Sequence, residues 1–141
     1  MENNVKGSVY EGSFSLIIRG EHLELEVLDE ILGIKATRKV RRGECAGGLL
    51  SAPAEQDQWI HTVNVNEPNG SDPAMNGLLE HLLAHRAQLD RTAERASVIL
   101  RLSVQSDYAR ISFLLMPETM QKIISLGHSL EISSVSWGEV I

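Results

Sequence analysis

The sequence predicts an α+β fold: one mostly antiparallel sheet with about three helices packed mainly on one face. Phe14, Leu16 and Ile18 alternate with Ser15, Ile17 and Arg19, and Val98, Leu100, Leu102 and Val104 alternate as strictly, the period-two pattern of half-buried strands. Between these runs Met75, Leu78, Leu79, Leu82, Leu83 and Leu89 form one apolar stripe at helical spacing. Two shorter helical patterns each stop at a Leu-Gly step, Leu32-Gly33 and Leu126-Gly127.

Taken in order, the first strand ends at Gly20, and Leu25, Leu28, Ile31 and Leu32 then define a helix of about three turns closed by Gly33. A short strand is expected near Thr37 to Val40, inside a stretch that turns basic and then glycine-rich through Gly43, Gly47 and Gly48. Trp59, His61, Val63 and Val65 alternate with Ile60, Thr62 and Asn64 as a further strand, and Glu67-Pro68-Asn69-Gly70 closes it as a turn. Ser71 or Asp72 can cap the long helix, with Pro73 in its first turn where a missing N–H costs nothing. Its Arg86 and Asp90 lie four apart on a face that can be wet. After the Val98 strand, Ser106-Asp107-Tyr108 leads into Ile111, Phe113 and Leu115, so the two runs read as a hairpin. Pro117 opens a third helix carrying Met120, Ile123 and Ile124, and Leu130 and Ile132 begin a last strand. Val135 and Trp137 fall out of phase with that pair, which predicts a bulge near Ser133 or Ser134. The two ends share a strand–helix–Leu-Gly–strand outline, but their helical apolar positions do not superpose without gaps.

At 141 residues the chain is sized for one domain, expected over residues 13–141 behind a flexible N-terminal segment at 1–12. Its 43% hydrophobic and 23% charged residues are those of a globular protein rather than a disordered tail. The formal net charge of −6 repels a phosphate backbone, which argues against nucleic acid as a general partner. A lone Cys45 excludes an internal disulfide and any multi-cysteine zinc framework, and so suggests a reducing, cytoplasmic setting. Met1 to Gly7 lacks the basic and apolar regions of a signal peptide, and no run approaches membrane-spanning length; no membrane partner is expected.

Several stretches together resemble a bacterial family catalogued as domain of unknown function 4279. They are GEHLELEVLDEILGI from Gly20 to Ile34, KATRKVRRGE from Lys35 to Glu44, the strand from Trp59, the helix around LLEHLLAHRAQL, and the closing LMPETMQKIISLGHSLEIS. The likeness runs from about Phe14 to Trp137. Members often carry proline where Ala36 stands, so the turn after Gly33 is expected to differ here. The family has no established activity; the resemblance implies a small bacterial α+β protein. By class analogy, some proteins of this size serve as toxin-immunity or accessory proteins.

Lys35, Arg38, Lys39, Arg41 and Arg42 concentrate positive charge in one segment of an acidic chain and form the candidate partner-binding surface. On a strand Arg38 points away from Thr37 and Lys39, so the five charges cannot converge on one small ligand. The competing reading pairs them with Glu21, Glu24, Glu26, Asp29 and Glu30 of the first helix. No aromatic residues interleave the basic ones, as a nucleic-acid surface would require.

Cys45, Trp59, His61 and Trp137 are the candidates for a ligand pocket near residues 35–50. A thiol there would need a base to act as a nucleophile, and tryptophans on strands ordinarily fill a core. His81 and His85 share a helix face at zinc-ligand spacing, but Glu80 precedes His81, so the metalloprotease order is missing. They are read as the margin of the buried stripe, with no metal and no cofactor assigned. Gly47 and Gly48 belong to no phosphate-binding string.

Two functional expectations follow from these residues. One is a non-enzymatic module, of immunity or inhibitor type, that binds an unidentified protein partner through its charged segment. The other is a small-ligand protein or enzyme with its pocket beside the 35–50 loop. Pairing of a sheet-edge strand with its twin would add a homo-oligomer to either.

Overall fold

The computed structural model describes residues 10–45, 52–65, 73–106 and 113–136. Within them the order is β1 (Tyr10–Gly20), α1 (Leu25–Leu32), β2 (Arg38–Val40), β3 (Asp57–Val65), α2 (Pro73–Ala84), α3 (Arg86–Ala93), β4 (Ser97–Ser106), α4 (Pro117–Leu126) and β5 (Ser129–Ser136). The α+β class and the single sheet are as the periodicities predict. β1 starts at Tyr10, before the expected domain boundary at residue 13.

The five strands line up as β2-β3-β1-β4-β5. β1 pairs antiparallel with β3 and β4, and β2 pairs antiparallel with β3. β4 and β5 run parallel, so the sheet is mixed. The cause is α4: a helix between two strands carries the chain back to the starting end, where a tight hairpin would reverse it. The expected hairpin partner of β4 is absent from the sheet as described, since both sides of β4 are taken by β1 and β5. Residues 113–116 form no regular element, and Phe113 and Leu115 pack against the core instead; 107–112 lie outside the described residues.

The bulge expected in the last strand is also not there. β4 and β5 pair one to one from Ile99↔Ser129 to Ser106↔Ser136. Val135 is out of phase with Leu130 and Ile132 because it sits on the other face of an edge strand, half exposed.

The predicted long helix is two, which raises the helix count among the described residues to four. His85 breaks it, with φ −113° and ψ 25°. Its amide is shared between the carbonyls of His81 and Leu82, and its ring Nδ1 donates to the His81 carbonyl at 3.0 Å. The imidazole competes locally for a backbone acceptor, tightening one turn before α3 resumes. The apolar stripe survives because Met75, Leu78, Leu79, Leu82 and Leu89 still reach one core.

That core lies on a single face of the sheet. Phe14, Leu16 and Ile18 of β1, Trp59 and Val65 of β3, and Val98, Leu100, Leu102 and Val104 of β4 meet Leu25, Leu28 and Leu32 of α1, the stripe of α2 and α3, and Ile123 and Leu126 of α4. Each such buried side chain contributes about 1.5–3 kcal/mol by leaving water. The opposite face carries Ser13, Ser15, Ile17 and Arg19 from β1 beside their partners on β3 and β4.

Candidate functional site

Two aspartates organise the segment that holds the basic residues. Asp29 occupies α1 within its buried stripe and accepts three hydrogen bonds. Trp59 Nε1 and the Ala36 amide donate to Oδ1 at 2.8 and 3.1 Å, and Lys39 Nζ donates to Oδ2 at 2.8 Å. Burial pushes this carboxyl up, but the bonds from Lys39, Trp59 and Ala36 and the ammonium charge outweigh it and hold the group below the usual carboxylate range. Asp57 opens β3 and accepts from the amides of Arg42 at 2.8 Å and Leu23 at 3.0 Å. The Arg42 amide bond is the main reason its pKa is lowered; burial opposes it, and the Leu23 amide and the nearby Arg41 charge help.

These clamps decide where the five basic side chains go. Lys39 lies on the helix side of β2, opposite Trp59, and pairs with Asp29. Arg41 lies over the start of α1, donating to the Leu23 carbonyl at 3.0 Å and to Glu26 Oε1 at 3.3 Å. Two of the five are thus bound to the acidic first helix. Arg38 faces the other side of the sheet beside Ile60, while Lys35 and Arg42 are exposed.

The face to which Arg38 belongs has its own composition. Register places Ile60, Ile17 and Ile99 side by side across β3, β1 and β4, with Arg38 at the β2 end of that row. Ser15 and Thr62 share a hydrogen bond of 2.8 Å in the next row, where Arg101 is paired with Glu131. Arg19 lies beyond Ile17 on β1, and its Nε is buried with no acceptor. A buried guanidinium donor without a partner is costly.

A family model described as Domain of unknown function (DUF4279) matches residues 10–136. The chain belongs to this family. No curated protein and no solved structure matches it. The DUF4279 match runs from the first residue of β1 to the last of β5, so it includes both aspartate clamps and the whole sheet.

The pocket candidates are dispersed in this DUF4279 domain. Trp59 is fully buried, 0% exposed, and its indole N–H is committed to Asp29. His61 stacks on Trp59 with centroids 6.4 Å apart and donates from Nδ1 to the Lys35 carbonyl at 2.6 Å. Cys45 is exposed just past β2, and Trp137 lies outside the described residues, as do 46–51 of the glycine loop. A groove of about 790 Å³ opens elsewhere, between α1 and α3. Cys45, Trp59 and His61 are not among its lining residues. Its walls carry Arg91 and Arg95 against Glu21, Glu24, Glu30 and Glu94, an acidic balance that opposes an anionic ligand.

His81 and His85 serve the packing of α1. Their rings stack with centroids 4.3 Å apart, and His81 Nε2 donates to the Leu32 carbonyl at 2.7 Å, satisfying an otherwise open acceptor at the helix end. Among the described residues no group of three or more His, Cys, Asp or Glu is placed to hold a metal ion, and no helix is long and apolar enough to cross a membrane.

The sequence reading named Asp29 only as one of five acids that could pair with the basic segment, and missed Asp57, although both left a further signal. Asp29 falls in the apolar stripe of α1 with Leu25, Leu28 and Leu32, and Asp57 falls in phase with Trp59 on β3. An acid inside a buried pattern needs donors, which is what marks a clamp.

Proposed function

We propose that this domain is a non-enzymatic protein-binding module that presents the sheet face opposite its helices to an acidic partner surface. The observation that carries this reading is a concentration of arginine on one sheet face: Arg19, Arg38 and Arg101 lie around the isoleucine row, with Glu131 paired to Arg101, in a chain of net charge −6. Such a face steers an acidic partner in and rejects basic ones. Ile60 and Ile99, each partly exposed on either side of the buried Ile17, supply apolar contact. Of the five residues first read as the partner surface, Arg38 belongs to this face, and Lys35 and Arg42 are exposed. A stoichiometric inhibitor or immunity protein, acting in a reducing cytoplasm where the single Cys45 stays a thiol, fits these features.

The test is affinity capture from the source lysate followed by binding measurements on the purified pair at low and physiological salt. The reading expects a partner whose association falls at least tenfold with Arg38→Glu plus Arg101→Gln and weakens with salt, while Lys39→Gln leaves it unchanged. A partner bound equally by the arginine variants would remove the sheet face from the argument.

A further inference from the structure

The sheet has two edges of unlike character. β2 is three residues long and carries Arg38 and Lys39, a short charged edge of the kind that resists further pairing. β5 runs for eight residues, SLEISSVS, with no proline, no lysine and one charge, Glu131, already neutralised by Arg101. Among the described residues no strand lies beyond it. Ile132 is 62% exposed there.

Apolar surface continues from this edge onto α4. Met120 and Ile124 are 42% and 71% exposed. At 100° per residue they fall on the flank of α4 opposite Lys122, whose Nζ reaches across to Asn76 and Glu80 of α2. That flank therefore turns away from α2, towards the β5 end of the sheet. Ile132 points to the same helix-covered side, since its register partner Leu102 is a core residue. An open backbone ladder and exposed apolar side chains thus lie together.

We infer that the chain forms a twofold dimer in which β5 pairs antiparallel with β5 of a second copy, joining two sheets into one of ten strands. The strand is self-complementary in the register centred on Ile132. Ile132 meets Ile132, Glu131 meets Ser133, and Leu130 meets Ser134, so no like charges oppose one another across the ladder. A twofold axis lets one patch serve both sides, with Met120 and Ile124 of each copy flanking the joined strands. The net charge of −6 on each chain repels at long range, so added salt strengthens the association.

Sedimentation equilibrium of the full chain tests this. The expected mass is twice the 15.6 kDa of one chain, with a dissociation constant that falls as salt rises. Ile132→Lys is expected to halve the mass while leaving circular dichroism unchanged, because the side chain is mostly exposed; Val27→Lys on α1 keeps the dimer. In a Cys45→Ser background, Ile132→Cys is expected to oxidise to a disulfide-linked dimer, because its twin lies opposite, and Val135→Cys is not. A monomeric wild type overturns the inference and leaves the edge to an extended segment of another protein. A dimer that persists in Ile132→Lys overturns it as well.

Discussion

The indole N–H of Trp59 donates to Asp29 Oδ1 at 2.8 Å, tying the middle of the first helix to a core strand 30 residues away. Trp59 is wholly buried, so its N–H has no water to fall back on. The same carboxylate receives Ala36 N and Lys39 Nζ, and one residue thereby sets the path of the chain from α1 into β2.

Replacing Asp29 with alanine strands a buried donor and loses two further charge-assisted bonds. A destabilisation of about 3 kcal/mol is expected from urea unfolding. Trp59→Phe removes the donor together with its need, so the double variant is less destabilised than the two single changes added together, by about 1 kcal/mol. Strict additivity would show that the bond contributes nothing of its own.

Acid should loosen the α1–β2 region. Asp29 and Asp57 both have native pKa values below their ordinary one, so the unfolded chain binds protons more readily than the folded chain as pH falls. Their stabilisation is fully present above the ordinary carboxylate pKa of about 4 and is lost as pH drops through the lower native values. Urea midpoints measured at successive pH values should fall in that window, and Asp29→Asn and Asp57→Asn should each flatten the slope. An unchanged slope in both variants would mean that other carboxylates control acid unfolding.

Gly33 and Gly127 allow a controlled comparison. Both close a helix in the left-handed region, at φ 71° and 76°. A Cβ on Gly33 would stand 2.9 Å from His85 Nε2, whereas one on Gly127 meets nothing within 4 Å. Gly127→Ala is expected to cost the backbone penalty of about 1–2 kcal/mol, and Gly33→Ala at least about 1 kcal/mol more, because the stacked His85 must move. Equal losses in thermal melts would show that the imidazole yields freely.

Cys45 is exposed, so a thiol reagent should titrate one group per native chain without denaturant. Cys45→Ser should leave stability within about 0.5 kcal/mol, as expected of a surface position. Protection of the thiol in the native state would indicate that the chain beyond residue 45 covers it.

Much of the framework was legible from residue order. The alternation of Phe14, Leu16 and Ile18 and that of Leu100 and Leu102 marked the core face, and Leu32-Gly33 and Leu126-Gly127 marked helix ends where only glycine takes positive φ without strain. The site was less legible. Lys35 to Arg42 read as one patch, but strand alternation and two distant aspartates send Lys39 and Arg41 to α1 and Arg38 to the far side of the sheet.

Period and punctuation alone determined the α+β class, the five strands of the sheet though not the absence of the expected Ile111–Leu115 hairpin strand from the sheet as described, the boundaries of α1 and α4, and the buried stripes, because each depends on side chains a few positions apart. Tertiary structure decided what depends on partners far along the chain. The helix break at His85 goes with imidazoles packed against Gly33, and the parallel β4–β5 pair follows from where α4 carries the chain. The isoleucine row with its three arginines emerges only when register brings β2, β3, β1 and β4 side by side. Hydrogen-bond register and ion pairing are long-range choices among many acceptors, and no local pattern encodes which one is met.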